Sequence, residues 1–232
     1  MTVNPTVQIC RTCGGGAPVD VHFCPQCTKI LSIGRHGDYF SFLGLPRTLN
    51  FDPDDLDERF RTLSRQFHPD YFYNASPSER RASLERSSYL NDAYRTLRQP
   101  IARLAYLLEL EGVWTPADRG SSTAGSKQVP PSLLEEVFAL NEELDEVRSM
   151  RERGAQREEW QRRLHQAREP IDARREEHER QLEELSRQWD ALVARNPPAP
   201  ERRQVLDALR RRMLERNYIT NLLAGIEREL AA

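Results

Sequence analysis

Along most of this chain apolar residues recur every three or four positions, the period of a helix that buries one face. Leu56, Phe60, Leu63 and Phe67 form one such stripe. Asp52 followed by Pro53 supplies its start, an N-cap residue and then a proline at the first helical position. The helix is expected to end at Phe67-His68, because Pro69 disfavours helical geometry in the residue before it. A second helix begins at Ser76-Pro77-Ser78-Glu79, a capping box with proline in its first turn, and turns Leu90, Ala93, Tyr94 and Leu97 inward. Together they predict an antiparallel α-hairpin whose loop holds His68-Pro69-Asp70. Before it, Asp38 to Leu45 predicts a short helix whose aromatics, Tyr39, Phe40 and Phe42, plug the hairpin.

The period resumes further on. Leu133, Leu134, Val137, Phe138, Leu140, Leu144 and Val147 predict a helix from about 131 to 153 with a broad apolar face. Leu164, Ile171, His178, Leu182, Leu185, Trp189 and Leu192 continue in a second region, which Pro170 should kink or break, since an interior proline costs about 3 kcal/mol. Val205, Leu206, Leu209, Met213, Leu214, Tyr218, Leu222, Leu223, Ile226 and Leu230 make a third, after the Asn196-Pro197-Pro198-Ala199-Pro200 break. Short connections favour an antiparallel three-helix bundle. Strand-like alternation is confined to Val19, Val21 and Phe23, which suggest one arm of a small hairpin. The fold class expected is all-α with a small N-terminal head. The divisions expected are the head at 1–34, the hairpin module at 35–112, a Gly/Ser/Thr/Pro linker at 113–131 and the bundle at 132–232.

Composition narrows the function. The chain has 232 residues, 30% of them charged, and a formal net charge of -2. That lacks the basic excess of a general nucleic-acid binder, so no nucleic-acid partner is expected. No run approaches the roughly 18 apolar residues of a membrane span. Met1 to Ile9 has neither a charged start nor an apolar core, so it does not read as a signal peptide. The expectation is a cytoplasmic protein with no membrane partner.

All four cysteines fall between positions 10 and 27. Cys10-Arg-Thr-Cys13 and Cys24-Pro-Gln-Cys27 are two C-x-x-C turns, and Gly14 suits the turn after the first. Tetrahedral zinc needs four thiolates converging at about 2.3 Å, and two such turns supply them. A head this small cannot build an adequate core, so metal would supply its folding energy. The alternative is redox chemistry, but a redox C-x-x-C sits at a helix start near a βαβ pattern, which is missing here. The expected cofactor is a structural zinc on Cys10, Cys13, Cys24 and Cys27, a shell closed to catalysis. His22 and His36 are read as surface or packing residues.

The sequence Asp38-Tyr39-Phe40, Gly44-Leu45-Pro46, a basic amphipathic helix, Phe67-His68-Pro69-Asp70 and then a long capped helix resembles the J-domain. Within J-proteins, Leu90-Asn91-Asp92-Ala93-Tyr94-Arg95-Thr96-Leu97 and Ala105-Tyr106-Leu107-Leu108 are similar to the iron–sulfur co-chaperone HscB. The four-cysteine head looks like that of the animal members, a zinc ribbon. This resemblance implies a co-chaperone that stimulates the ATPase of a specialised, HscA-type Hsp70 and brings it an IscU-type iron–sulfur scaffold protein for cluster transfer. It assigns Hsp70 binding to His68, Pro69 and Asp70 with Arg61 and Arg65. Physically, Asp70 can accept charge-assisted hydrogen bonds, and the arginines steer toward an acidic surface. Scaffold binding falls to Leu134, Phe138, Glu142 and Tyr218. The family usually has Lys after the His-Pro-Asp tripeptide, where this chain has Tyr71, one positive charge fewer beside the loop.

Other readings remain to be weighed. A general J-protein would predict a Gly/Phe-rich region or a β-sandwich, and neither is in the sequence. A zinc-ribbon interaction protein with a helical tail, binding nucleic acid, is opposed by the net charge of -2 and by the acidic C-terminal helices. An enzyme would need a nucleophile–base pair, a phosphate loop or an open metal site; His68, His165 and His178 show no pattern of partners, so no catalytic residue is assigned.

Overall fold

The computed structural model describes residues 7–33, 37–115, 118, 131–195 and 198–231. His36, most of the stretch read as a linker, and Asn196-Pro197 lie outside the described residues. The chain divides into two compact units, Met1–Leu110 and Glu111–Ala232. Among the described residues there are seven α-helices and one two-stranded sheet, an all-α fold with a small β head.

The head opens on β1 (Val7–Ile9) paired antiparallel with β2 (Gly16–Pro18), Val7 opposite Pro18. The hairpin therefore straddles the first cysteine turn. Val19 to Phe23, expected as a strand, instead forms a turn and a single bridge from Phe23 to Ile30. Alternation over three short positions does not outweigh the pull of the two cysteine turns on the backbone between them.

In the rest of the first unit, capping sets the helix boundaries. The helix α1 (Tyr39–Phe42) is capped by the Asp38 carboxylate, which accepts from the Ser41 amide. The α2 helix (Pro53–Phe67) starts on Asp52 and ends on His68. The α3 helix (Pro77–Arg98) carries a complete capping box, Ser76 to Glu79 in both directions. Pro100 begins α4 (Pro100–Leu110), so one proline ends α3 and opens the next helix. Leu56, Phe67, Leu90, Ala93 and Leu97 are buried between α2 and α3, with Phe40 and Phe42 beneath them. Phe60 stacks on Tyr94 with ring centroids 4.1 Å apart. Tyr106 accepts from the Tyr39 amide at 2.9 Å and stacks on its ring, fastening α4 to α1. Gly44, at φ +67°, turns the chain after α1; a Cβ there would meet Arg59 Nη1 at 3.0 Å, and Arg59 donates to the Leu43 and Gly44 carbonyls.

The second unit is a three-helix bundle of α5 (Leu134–Glu152), α6 (Arg157–Arg195) and α7 (Ala199–Ala231). Arg163 pairs with Glu143 and Arg174 with Glu136, so α6 runs antiparallel to α5. Ser132 meets Glu215 and Arg148 meets Glu229, so α7 returns parallel to α5. Leu133, Leu140, Val147, Trp160, Leu164, Ile171, Ile219, Leu223 and Ile226 form the core. The α6 helix runs unbroken through Pro170, so of the kink or break expected there the break does not occur. Proline removes one backbone hydrogen bond, whereas a break would withdraw Leu164 on one side and Ile171 on the other from the same core, each worth about 2 kcal/mol or more. Val113 and Trp114 are buried, and Glu111 and Asp118 pair with Arg202 and Arg210 on α7.

Candidate functional sites

The two cysteine turns have the same backbone. Gly14 N donates to Cys10 O and Cys10 N to Gly15 O; fourteen residues on, Thr28 N donates to Cys24 O and Cys24 N to Lys29 O. Gly14 (φ +74°) and Thr28 (φ +57°) occupy the same left-handed position. The turns bring Cys10 Sγ to 3.6 Å from Cys27 Sγ and Cys13 Sγ to 3.7 Å from Cys24 Sγ. All four sulfurs lie within 4.8 Å of one another. A tetrahedron with metal–sulfur bonds of about 2.3 Å has sulfur–sulfur edges of about 3.8 Å, so the donor set fits a single four-coordinate ion.

The turns also favour thiolate. The Cys13 amide, with those of Thr12 and the neighbouring thiols, draws Cys10 down to about 6 against the penalty of burial. The Cys27 and Gln26 amides lower Cys24 in the same way. Cys27 is pushed up to about 12, because burial and its three thiol neighbours outweigh the pull of the Lys29 amide. Four sulfurs this close cannot all ionise unless a cation replaces their protons.

His22 is a packing residue. Its ring lies edge-on to Phe42 and Phe67 at 4.8 and 4.9 Å, and its Nδ1 is 2.7 Å from Arg86 Nη1. Arg86 is fully buried, and burial lowers its guanidinium to about 10, still protonated at neutral pH.

His68-Pro69-Asp70 sits in the loop that closes the hairpin, between α2 and α3. His68 closes α2, and Pro69–Phe72 make one 3₁₀ turn leading toward α3. His68 Nδ1 is 3.4 Å from the Asp70 amide and 3.6 Å from its carboxylate. The Asp70 side chain is 86% exposed, so its carboxylate is offered to a partner. Arg61 and Arg65, one turn apart on α2, are exposed, as are Tyr71 and Tyr73 beside the tripeptide. The carbonyl that α2 leaves unbonded at Phe67 is satisfied from across the hairpin, by Ser83 Oγ at 2.6 Å and Ser87 Oγ at 2.9 Å. Sequence reasoning missed Ser83, Ser87 and Arg86. Polar residues on an amphipathic helix look solvated until the partner at long range is known.

On α5 the apolar positions separate into two faces. Leu133, Leu140 and Val147 are buried, while Leu134 and Phe138 are 39% and 66% exposed. Glu142, one further turn along from Phe138, is exposed too, so Leu134, Phe138 and Glu142 form one outward stripe. Tyr218, on α7, is half-buried and packs against the bundle core.

No family model matches the chain. Among curated proteins it is similar to the iron–sulfur cluster co-chaperone protein HscB of Homo sapiens, at 34% identity over 143 residues, 60% of this chain and 58% of that protein. The Mus musculus protein of that name gives 33% over 143 residues. The co-chaperone protein HscB homolog of Cupriavidus taiwanensis gives 37% over 110 residues, 47% of this chain and 59% of that protein. The chain thus spans somewhat under three fifths of the curated relatives it matches. Among solved structures, the crystal structure of human co-chaperone protein HscB superposes with a TM-score of 0.63 at 24% identity, covering 96% of this chain and 98% of that one. Chaperone HscB from Vibrio cholerae superposes with a TM-score of 0.54 at 26% identity, covering 82% of this chain and 96% of that one. The fold is that of the HscB co-chaperones, and the sequence is similar to theirs.

Proposed function

We propose that this protein is an iron–sulfur co-chaperone of the HscB type. It binds a specialised, HscA-type Hsp70 through His68, Pro69 and Asp70 with the basic face of Arg61 and Arg65, and stimulates that partner's ATPase. It presents an IscU-type scaffold protein on the second unit, through Leu134, Phe138 and Glu142, with Tyr218 contributing from α7. A structural zinc held by Cys10, Cys13, Cys24 and Cys27 folds the head, which carries no chemistry of its own. The protein acts as a binding module, not an enzyme, and works in the cytoplasm; no described helix is long and apolar enough to cross a membrane.

The observation that carries this reading is the exposed Asp70 carboxylate on the 3₁₀ turn that follows α2, between the capped helices α2 and α3. An Hsp70 ATPase assay tests it. The wild-type chain should raise the turnover of its cognate Hsp70, further in the presence of scaffold, and Asp70→Asn should abolish the increase while leaving the fold and scaffold binding intact. Stimulation by Asp70→Asn equal to wild type would remove the proposal.

A further inference from the structure

We infer that the four-cysteine head is a positioning element for the His-Pro-Asp loop, acting through Arg86, so that loading of its metal site sets how strongly the protein activates its partner. This rests on the function proposed above.

Arg86 lies in the middle of α3 with no exposed surface. Its Nε donates to Leu31 O at 2.7 Å and its Nη2 to Ser32 O at 3.3 Å. Its Nη1 faces His22 Nδ1 at 2.7 Å. A guanidinium only donates, so His22 accepts through Nδ1 and carries its ring proton on Nε2. These three partners belong to the head or to the chain leaving it, 54 to 64 residues away in sequence. The guanidinium carbon also lies 5.9 Å from the Phe42 ring and 5.7 Å from the Phe67 ring, within cation–π range.

Phe67 is therefore held from two sides. Its carbonyl is fixed by Ser83 and Ser87 of α3, and its ring by Arg86, His22 and Phe23. The next residue is His68. A buried cation is tolerated only while its partners are in place. Those partners exist only while 22–32 is folded, and Leu31 packs in one small cluster with Cys10 and Cys24. In a module this small, thiolate–metal bonds supply the folding energy. Loss of the metal frees the Leu31 and Ser32 carbonyls, Arg86 turns toward water, and the grip on Phe67 loosens immediately before the loop that acts on the partner.

A merely stabilising head would change how much protein is folded, not how well a bound loop works. The experiment separates these using the full chain, zinc-loaded or chelator-treated, in wild type and Arg86→Met. Two quantities are read: amide NMR shifts of Asp70 and Tyr71, and Hsp70 ATPase as a function of co-chaperone concentration. Arg86→Met should keep its zinc and its helix content, shift both amides and lower maximal stimulation about tenfold, with the half-maximal concentration changed less than about twofold. Chelation of wild type should do the same, and should add nothing further in Arg86→Met. His22→Phe, which keeps the ring packing but removes the acceptor, is the milder second variant and is judged by the same criteria should Arg86→Met not fold. Unchanged loop amides, unchanged maximal stimulation, or chelation effects that add in full to those of the variant would each overturn the inference. A wild-type chain that stimulates no Hsp70 would instead remove the proposed function, and the amide shifts would still test the link from head to loop.

Discussion

Truncating Phe138 and Leu140 separately tests whether α5 turns one apolar face inward and another outward. Phe138 is 66% exposed, so only about a third of its surface is withdrawn from water. A fully buried Phe covers about 200 Å², and a third of that at about 25 cal/mol/Å² gives about 1.7 kcal/mol. Unfolded chains already bury part of such surface, which brings the expected cost of Phe138→Ala to about 1 kcal/mol. Leu140, 3% exposed inside the bundle, should cost about 3 kcal/mol as Leu140→Ala, because a cavity is left behind. Trp114, Trp160 and Trp189, the three tryptophans of the chain, all lie in the second unit, so urea unfolding followed by tryptophan fluorescence reports on that unit alone. Scaffold affinity, measured on folded protein, should move the other way. An anchor phenylalanine worth about 2 kcal/mol costs about 30-fold in Kd when removed, while Leu140→Ala should stay within about threefold of wild type. A Phe138→Ala variant as destabilised as Leu140→Ala would refute the division of faces. One that unfolds normally and binds scaffold normally would refute the binding role.

Other variants probe the remaining parts. Asp118 is buried, which raises its carboxyl, but Arg210 and Thr115 more than offset this and hold it below its usual 3.8. Its ionised form therefore stabilises the second unit above that value, and the contribution is lost as pH falls through the lower folded value; Asp118→Asn should cost about 2 kcal/mol at pH 7 and flatten the acid limb of the stability curve. Metal analysis should find one zinc per chain, and Cys13→Ser, the exposed ligand, should release it to a chelator concentration that wild type withstands. Ser76→Ala removes the cap of α3 and should cost about 1 kcal/mol, lowering the melting temperature of the first unit by about 5 °C in calorimetry.

Three of the four helices of the first unit, α1, α2 and α3, were legible because their signals are local, whereas α4 was not predicted. Asp52-Pro53 and Ser76-Pro77 with Glu79 each fix a boundary within four residues, and the structure forms the caps those residues predict. The cysteine spacing was legible for the same reason, since each turn is complete in itself. Other features depend on residues far apart in sequence. Val19 to Phe23 alternate, yet the hairpin forms from 7–9 and 16–18. Pro170 carries a strong local penalty, yet core packing on both sides carries α6 through it. The seven apolar positions from Leu133 to Val147 gave a single broad face, of which only the family resemblance singled out Leu134 and Phe138; which of them turn outward is set by where α6 and α7 lie. Arg86 and Ser83 carried no local signal, and only the arrival of the head and of the α2 terminus makes them buried anchors.

The seating of His22 and Phe23 on Phe42 and Phe67 bears on modularity. In this chain the helical hairpin is not a freestanding cassette. Expressed as a fragment without its first three dozen residues, it would present two large aromatic rings and a cation evolved for a dry setting to the solvent, a surface prone to self-association. Exchange of hairpins between co-chaperones, by recombination or by design, would succeed only where head and hairpin travel together or where the Arg86 position is rewritten at the same time.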